Sequence, residues 1–164
     1  MASSGTAKIT LPADDQILIT REFAAPRRLV YRAWTTPELV KRWWGGHRGT
    51  VTSVEIDLRV GGRWRYVLAA GHGQEVAFHG EYREIAEAER IVNTEVFEMP
   101  GAPESDEGAP VVTTTFTEHD GRTTVAMLSE CGSRELRDGI LESGMETGMQ
   151  EQFDLLEELA QSLR

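Results

Sequence analysis

Thiols are nearly absent from this chain of 164 residues, which contains a single cysteine, Cys131. One cysteine excludes an intrachain disulfide framework and is typical of a reducing compartment, so we predict a cytoplasmic protein. Long hydrophobic runs are absent too, since no stretch approaches the roughly 18–20 apolar residues of a membrane span. The first 15 residues show no apolar segment behind a basic one, so we expect no secretory signal and no membrane partner.

Positive charge is scarce, because 17 Lys and Arg residues stand against 27 Asp and Glu, for a formal net charge of −10. This balance argues against nucleic-acid binding, which requires a basic surface. The charge is unevenly spread: residues 21–65 contain ten basic and four acidic residues, a net of +6, whereas residues 66–164 contain six basic and 21 acidic residues, a net of −15. The pattern fits either ordinary solvated surface or a basic docking face for an acidic partner.

Catalytic and metal-binding motifs are also missing. No two of the four histidines have metal-ligand spacing on a shared helix, no serine stands in a Gly-x-Ser-x-Gly turn, and acidic neighbours do not activate the Cys131 thiol. The sequence therefore predicts no metal and no cofactor. His79 and Glu81, two residues apart on a predicted strand, are the candidate acid–base pair if both face the interior.

The length and a hydrophobic content of 40% fit one domain with its own core. We expect residues 1–14 to be a flexible tail and residues 15–164 to be a single domain. A segment rich in β-branched residues at 16–23 predicts the first strand. Pro26 suits the start of a short helix, and the Thr36-Pro37 pair suits the N-cap and first position of a second one.

Alternating residues and turn signals predict six further strands, at 51–58, 63–70, 75–85, 90–99, 111–118 and 123–130. A loop spans residues 100–110. After Ser133, a plausible N-cap, apolar residues recur every three or four positions and predict one long helix: Met145, Met149, Phe153, Leu156, Ala160 and Leu163. Successive strands joined by short turns form an antiparallel sheet, and the terminal helix is the element long enough to cover it, which gives an α+β fold.

Four short motifs stand in a fixed order along residues 17–163. They are REFAAP, AWTTP and WWG at 21–26, 33–37 and 43–45; DLRVGG at 57–62; GEYREI at 80–85 before ERIV at 89–92; and TFTE at 115–118 opposite GRTTV at 121–125. Together they resemble the activator of ninety-kilodalton heat-shock-protein ATPase homologue family. That family belongs to the START-like, or SRPBCC, superfamily.

The resemblance implies a helix-grip fold, START-like or Bet v 1-like. Such a fold has a curved antiparallel sheet, here of about six or seven strands, around a long C-terminal helix, with two short helices after the first strand. It also implies a cavity between sheet and helix, with Arg42, His47 and Arg48 as its candidate rim. Relatives commonly have Gly-Trp where this chain has Gly148-Met149, and a thioether there changes the shape of the cavity.

Large apolar side chains are the candidate lining of this cavity, although each taken singly also fits an ordinary core. These candidates are Trp43, Trp44, Trp64, Tyr66, Phe78, Tyr82, Phe97, Phe116, Met127, Met145, Met149 and Phe153.

Three functions stay open at this point. The leading hypothesis is non-enzymatic binding of a small hydrophobic or amphipathic molecule in the cavity. A second is a chaperone-linked interaction module that docks through its basic segment, residues 21–65. A third is an enzyme of the cyclase or aromatase type, which the superfamily includes and which would need His79 and Glu81 to face inward. We expect a monomer or weak homodimer, and the sequence does not decide which parity of residues 75–85 faces the cavity.

Overall fold

The computed structural model describes residues 6–45, 49–71, 73–98, 109–143 and 145–164, which form nine strands and four helices. The strands are β1 (Lys8–Thr10), β2 (Gln16–Phe23), β3 (Thr50–Ile56), β4 (Arg63–Gly71), β5 (Gln74–Ala86), β6 (Arg90–Thr94), β7 (Val96–Glu98), β8 (Val111–His119) and β9 (Arg122–Glu130). The helices are α1 (Arg27–Thr35), α2 (Pro37–Trp43), α3 (Arg134–Glu142) and α4 (Met145–Ser162).

All strand pairings are antiparallel, in the order β1-β2-β9-β8-β6-β5-β4-β3, with β7 also paired to β5. This confirms the α+β fold, but the sheet has more strands than the six or seven predicted. β1 lies in the segment 1–14, whose small polar residues give no strand pattern. The predicted strand at 90–99 is interrupted at Glu95, which separates β6 from β7.

Proline and turn residues set the two short helices, as predicted. Thr36 is the N-cap of α2 and Pro37 its first residue. Pro26 is the N-cap of α1 rather than its first residue, so this helix begins one residue later than predicted. Beyond α2, Gly45 has a φ of +88°, a conformation that favours glycine.

The C-terminal helix consists of two pieces rather than one. The Ser133 hydroxyl accepts a hydrogen bond from the Leu136 amide at 3.1 Å, so the predicted N-cap is confirmed, and it begins α3. The α3 helix ends at Ser143, whose hydroxyl donates to the Ile140 carbonyl oxygen at 2.6 Å. The apolar period from Met145 to Leu163 predicts α4 well, because that stripe is the buried face of this one helix.

Arg21 on β2 identifies the side of the sheet that α4 covers, here called the inner face. Its guanidinium lies 3.3 Å from the carboxylate of Glu157 and 3.1 Å from that of Asp154, both on α4. Because residues paired across antiparallel strands point to the same side, the registers carry this inner face across the sheet. On β5 they place Phe78 and Tyr82 on the inner face, and His79 and Glu81 on the opposite, outer face.

None of the described helices is long and apolar enough to cross a membrane.

Candidate ligand-binding site

One half of the inner face is sealed by α4. Phe153 on α4 packs edge-on against Phe23, with ring centroids 5.6 Å apart, and lies 5.7 Å from Trp34. Leu156 and Phe23 are fully buried. The buried Thr123 hydroxyl is satisfied here, since it donates to the Ala25 carbonyl oxygen at 2.7 Å. We call this region the closed half, and it is an ordinary dry core.

Six of the twelve predicted lining residues are buried, which places them in well-packed surroundings: Trp43, Trp64, Tyr82, Phe116, Met149 and Phe153. Both buried indoles have a protein partner. The N–H of Trp43 donates to the Ala33 carbonyl oxygen at 2.9 Å, and the N–H of Trp64 donates to the Thr94 carbonyl oxygen at 3.2 Å. These two tryptophans therefore have no free polar handle for a ligand.

The other six lining residues stay partly or largely exposed: Trp44, Tyr66, Phe78, Met127, Met145 and Phe97. Their aromatic members touch one another. The Trp44 ring lies 5.3 Å from that of Tyr66 and 5.7 Å from that of Phe78, and Phe78 lies 4.9 Å from Phe97. Phe97 is 46% exposed and marks the margin of this region, which we call the open half.

The open half also contains Glu95, which the sequence analysis missed. This residue interrupts the ladder between β6 and β7, and its amide donates to the Pro110 carbonyl oxygen at 3.0 Å. It lies between inner-facing Asn93 and inner-facing Phe97 and is partly buried. The available signal was an acidic residue at an inward position of the segment RIVNTEVFE, where an apolar residue is usual.

Burial raises the pKa of the Glu95 carboxyl above its ordinary value of 4.5. No neighbouring positive charge or hydrogen bond counteracts this rise in pKa. In the described part of the chain, no hydrogen bond or ion pair reaches this carboxylate. Partial burial without a partner therefore favours the neutral form of this carboxyl group.

Two inner-facing tyrosines, Tyr66 and Tyr82, also have raised pKa values. Burial, then the neighbouring Tyr82 and Glu95, raise the pKa of Tyr66 well above 10.0. The pKa of Tyr82 is also raised, chiefly by burial. Neither hydroxyl forms a hydrogen bond with the described residues. Tyr66 and Tyr82 are thus inner-facing tyrosines whose hydroxyls lack partners among the described residues.

The candidate acid–base pair lies on the outer face. The Nδ1 atom of His79 is 2.7 Å from Glu98, not from Glu81. Glu98 also forms two 2.9 Å contacts with the Arg65 guanidinium, and Glu81 pairs with Arg83 at 3.1 Å. Both candidates therefore face away from α4, and the condition on which the enzyme hypothesis depended is not met by this pair.

Two surface depressions lie along the β3–β4 hairpin. One, of about 540 Å³, is lined by Glu55, Ile56, Asp57, Arg59, Gly61 and Arg63. The other, of about 280 Å³, is lined by Glu55, Arg63, Trp64, Arg65, His79 and Glu98. Their acidic and basic side chains offset each other, and the Arg65 guanidinium holds the pKa of Glu98 at about 2. Charged side chains line most of both depressions, so we do not place a hydrophobic ligand there.

Only part of the predicted rim can be located. Arg42 is exposed on α2, whereas His47 and Arg48 lie outside the described residues. Exposed basic side chains continue along the two short helices, with Arg28 and Arg32 on α1 and Lys41 beside Arg42 on α2. Cys131 is buried, and burial raises the pKa of its thiol, so it is not an activated nucleophile.

The sheet order, the position of α4 and the inner face together define the class of protein. This is a helix-grip fold of the START-like, or SRPBCC, type. The model of the family described as Activator of Hsp90 ATPase homolog 1-like protein matches residues 24–161, so the chain belongs to that family.

Solved structures share this fold over nearly their whole length. A protein from Rhodobacter sphaeroides superposes with a TM-score of 0.85 at 23% identity, covering 96% of this chain and 99% of that one. Protein Ms6760 from Mycobacterium smegmatis has a TM-score of 0.81 at 27% identity, covering 93% and 94%. The AHSA1-like protein from Aeromonas hydrophila has a TM-score of 0.67 at 19% identity, covering 89% and 93%. No curated protein sequence matches this chain.

Proposed function

We propose that the open half of the inner face binds a small amphipathic molecule without transforming it. The apolar body of the ligand packs against Trp44, Tyr66 and Phe78, while Met145 and Met149 on α4 adapt to its shape. One observation carries the proposal: partly exposed aromatic rings adjoin partly buried polar groups that lack partners among the described residues. Binding sites for small molecules combine these features, a mostly apolar lining with a few polar groups.

The closed and open halves of the inner face differ in a way that supports ligand binding in the open half. In the closed half, ring packing and hydrogen bonds within the protein account for all the features described above, as in any core. In the open half, the same kinds of side chain keep exposed surface although the sheet and helices surround them. The helix-grip fold often holds ligands between sheet and helix, and this is the position that the open half occupies.

A thermal-shift panel of fatty acids, lipids and aromatic polyketides tests the proposal. A ligand that binds the folded state alone stabilises it by about 2.7 kcal/mol at a hundred times its Kd, which is readily measured. We expect at least one amphipathic class to raise Tm. The absence of any shift, together with no displacement of a fluorescent apolar probe, would count against a ligand site.

A Met149→Trp variant locates the site. Met149 lies one helical turn from Phe153 on the face of α4 that covers the sheet, so an indole there would fill the space beside the open half. We expect the substitution to weaken or narrow ligand binding. The matched control is Leu136→Trp on α3, where the side chain is 42% exposed and an indole would meet solvent. Equal ligand binding by both variants would place the ligand elsewhere.

A second candidate function is docking on an acidic surface of a chaperone. The specific observation is the row of exposed basic side chains on α1 and α2: Arg28, Arg32, Lys41 and Arg42. No ion pair among the described residues neutralises them. The family name connects its members with the Hsp90 ATPase, and that protein is the partner to test.

Calorimetric titration of Hsp90 at low and at physiological salt tests this docking surface. Changing the four residues to Gln should abolish a salt-sensitive interaction. The charge-matched control changes four exposed arginines elsewhere, namely Arg59, Arg83, Arg90 and Arg134. Equal binding by the two variants, or no binding of the natural protein at low salt, would exclude this function.

A further inference from the structure

The N-terminal strand is fastened to the C-terminal helix by one side chain. The Gln150 amide on α4 donates from Nε2 to the Ala7 carbonyl oxygen at 3.0 Å and accepts at Oε1 from the Ala7 amide at 3.1 Å. A glutamine side chain carries both donors and an acceptor, so it satisfies both backbone groups of one residue, as a neighbouring strand would. This contact ties the start of β1 to the first half of α4, across 143 positions of sequence.

A second contact fastens the other end of the same segment. The buried Arg137 on α3 donates from Nη1 to the carbonyl oxygen of Ala13, which lies between β1 and β2, at 2.9 Å. Its Nε and Nη2 atoms donate to the Asp138 carboxylate at 3.1 and 2.9 Å, which holds the guanidinium in place. Residues 7–13 are thus attached to both C-terminal helices, and we call this segment the strap.

Apart from these two contacts, the strap is held by a short edge strand. Among the described strands, β1 pairs with β2 alone, through Lys8, Ile9 and Thr10. Its side chains in the core are the small Ala7 and the partly buried Ile9, whereas Leu11 is 48% exposed. Chain ends are ordered where contacts tie them down, and short edge elements open at a lower free energy than the core. The two side-chain contacts therefore contribute much of what keeps the strap closed.

The part of α4 that Gln150 holds carries two side chains of the proposed ligand site. Met145 and Met149 lie four residues apart on one face of the helix. Gln150 follows Met149 and points about 100° away around the helix, toward the edge of the sheet that the strap forms. The second half of α4 has a separate anchor, since the Glu157 carboxylate accepts from the Ala24 amide at 2.9 Å. A hold on Gln150 therefore fixes Met149 relative to the sheet.

We propose that the strap sets how closely the first half of α4 approaches the sheet, with Gln150 as the positioning residue, and so controls the passage of ligand into the open half. The first part concerns the fold alone, whereas the second deepens the proposed function and rests on it. Separation of Ala7 from Gln150 frees this end of α4 to move outward about the Glu157 anchor, and the gap beside Met149 widens. Renewed contact closes the gap and retains the ligand.

A Gln150→Leu variant tests the hold on the helix, because it removes both hydrogen bonds to Ala7. Native-state hydrogen exchange of the amides at 149–153, which are bonded within α4, measures its local opening. We expect these amides to exchange about tenfold faster, since two hydrogen bonds of the folded chain are lost. The matched control is Gln152→Leu on the same helix, because Gln152 forms no hydrogen bond with the described residues. It should leave the exchange unchanged.

Stopped-flow binding of Nile red, an uncharged apolar dye, tests the passage of ligand. A gate changes the association and dissociation rate constants by the same factor, whereas loss of a lining contact acts mainly on dissociation. Gln150→Leu should raise both rate constants about tenfold and leave Kd unchanged. Ala7→Pro, which removes the N–H that Gln150 accepts, should do the same from the side of the strap. Combining the two changes should add nothing, because both break one contact.

The outcomes separate the strap, the gate and the proposed function. Equal exchange in Gln150→Leu and Gln152→Leu would overturn the strap. Faster exchange that extends equally to the interior amides of β8 and β9 would also overturn it, because that result is a general loss of stability. If the α4 amides respond while the Nile red rates do not, the gate is wrong. If Nile red does not bind the natural protein, the gate is overturned, and if the thermal-shift panel fails as well, so is the proposed function.

Discussion

The two halves of the inner face each contain a glutamate, and their surroundings differ. Glu157, in the closed half, accepts a hydrogen bond from the Ala24 amide and pairs with Arg21. Glu95, in the open half, is partly buried and forms no hydrogen bond or ion pair with the described residues. Position on the inner face alone does not determine how a carboxyl group is stabilised. The difference lies in whether the protein also supplies the groups that satisfy the charge.

A third glutamate sharpens this comparison, because it belongs to the same segment of chain as Glu95. Glu98 lies three residues after Glu95, but β7 turns it to the outer face, where Arg65 and His79 hold its pKa at about 2. Burial shifts the pKa of Glu95 in the opposite direction. One short segment thus carries an acid whose charged form is stabilised, Glu98, and an acid whose neutral form is favoured, Glu95.

Breaking the pair in the closed half should have the largest effect. Glu157→Ala leaves Arg21 buried without its buried partner and the Ala24 amide without its acceptor. We expect a loss of about 3–5 kcal/mol in the free energy of unfolding, measured by urea denaturation. The control is Glu158→Ala, an exposed neighbour on α4 that should change stability by less than about 0.5 kcal/mol. Similar values for both variants would show that the pair does not hold the closed half together.

Removing a satisfied hydroxyl from the closed half should have a moderate effect. Thr123→Val keeps the shape of the side chain but leaves the Ala25 carbonyl oxygen without its 2.7 Å hydrogen bond. The expected loss is about 1–3 kcal/mol, because both groups are buried. A neutral result in the same denaturation experiment would mean that this hydroxyl is not needed for stability.

Glu95→Gln should stabilise the ligand-free protein, by a few degrees in Tm, since roughly 1 kcal/mol corresponds to about 2–4 °C in a domain of this size. Because burial raises the folded-state pKa above 4.5, the folded protein binds more protons than the unfolded chain between those two pKa values. Stability due to this group therefore falls as pH rises through that window. The advantage of the variant should be absent below pH 4.5 and should grow above it.

Scans of Tm from pH 3 to pH 9 measure the difference in stability between Glu95→Gln and the natural protein. Glu98→Gln is the control, and its effect on stability should have the opposite sign. The pKa of Glu98 is lowered to about 2, so its contribution is present above pH 4.5 and is lost as pH falls toward 2. Glu98→Gln should therefore be less stable than the natural protein at neutral pH. A Glu95→Gln variant that melts at or below the natural Tm at pH 8 would contradict the account of an unpaired carboxyl.

Tyr66→Phe should have the smallest effect on stability. Its hydroxyl has no hydrogen bond within the described residues, so the change should stay within about 0.5 kcal/mol of the natural protein. Together with Thr123→Val, this variant compares loss of a hydroxyl in the open and closed halves. A loss as large as that of Thr123→Val would mean that the Tyr66 hydroxyl is already satisfied by the folded chain.

Much of the architecture could be predicted from local patterns. Pro37 after Thr36 marked the start of α2, Ser133 marked the cap of α3, and the apolar period of the last 20 residues marked α4. The motifs along residues 17–163 indicated the family, which the match over 24–161 confirms. The local patterns did not predict β1. Its three residues adopt a strand conformation because they pair with β2, and sequence periodicity does not reveal that contact.

The site was predictable only in part, because a residue type does not reveal its partners. Trp64 and Tyr66 are both aromatic, inner-facing and two residues apart on β4. The indole of Trp64 is satisfied by Thr94, whereas the Tyr66 hydroxyl is not satisfied by any described residue. Gly80 allows the Thr94 carbonyl to approach that closely, since a Cβ on Gly80 would overlap the Thr94 oxygen.

The sequence by itself determined the class of fold, since hydrophobic period, turn residues and helix caps act over a few positions and are legible along the chain. It also determined the acidic balance and the presence of a single cysteine. The tertiary structure decided which side of β5 faces α4, because one irregularity in a strand reverses the side of every residue beyond it. That choice turned His79 and Glu81 outward, where Glu98 pairs with His79 and Arg83 pairs with Glu81.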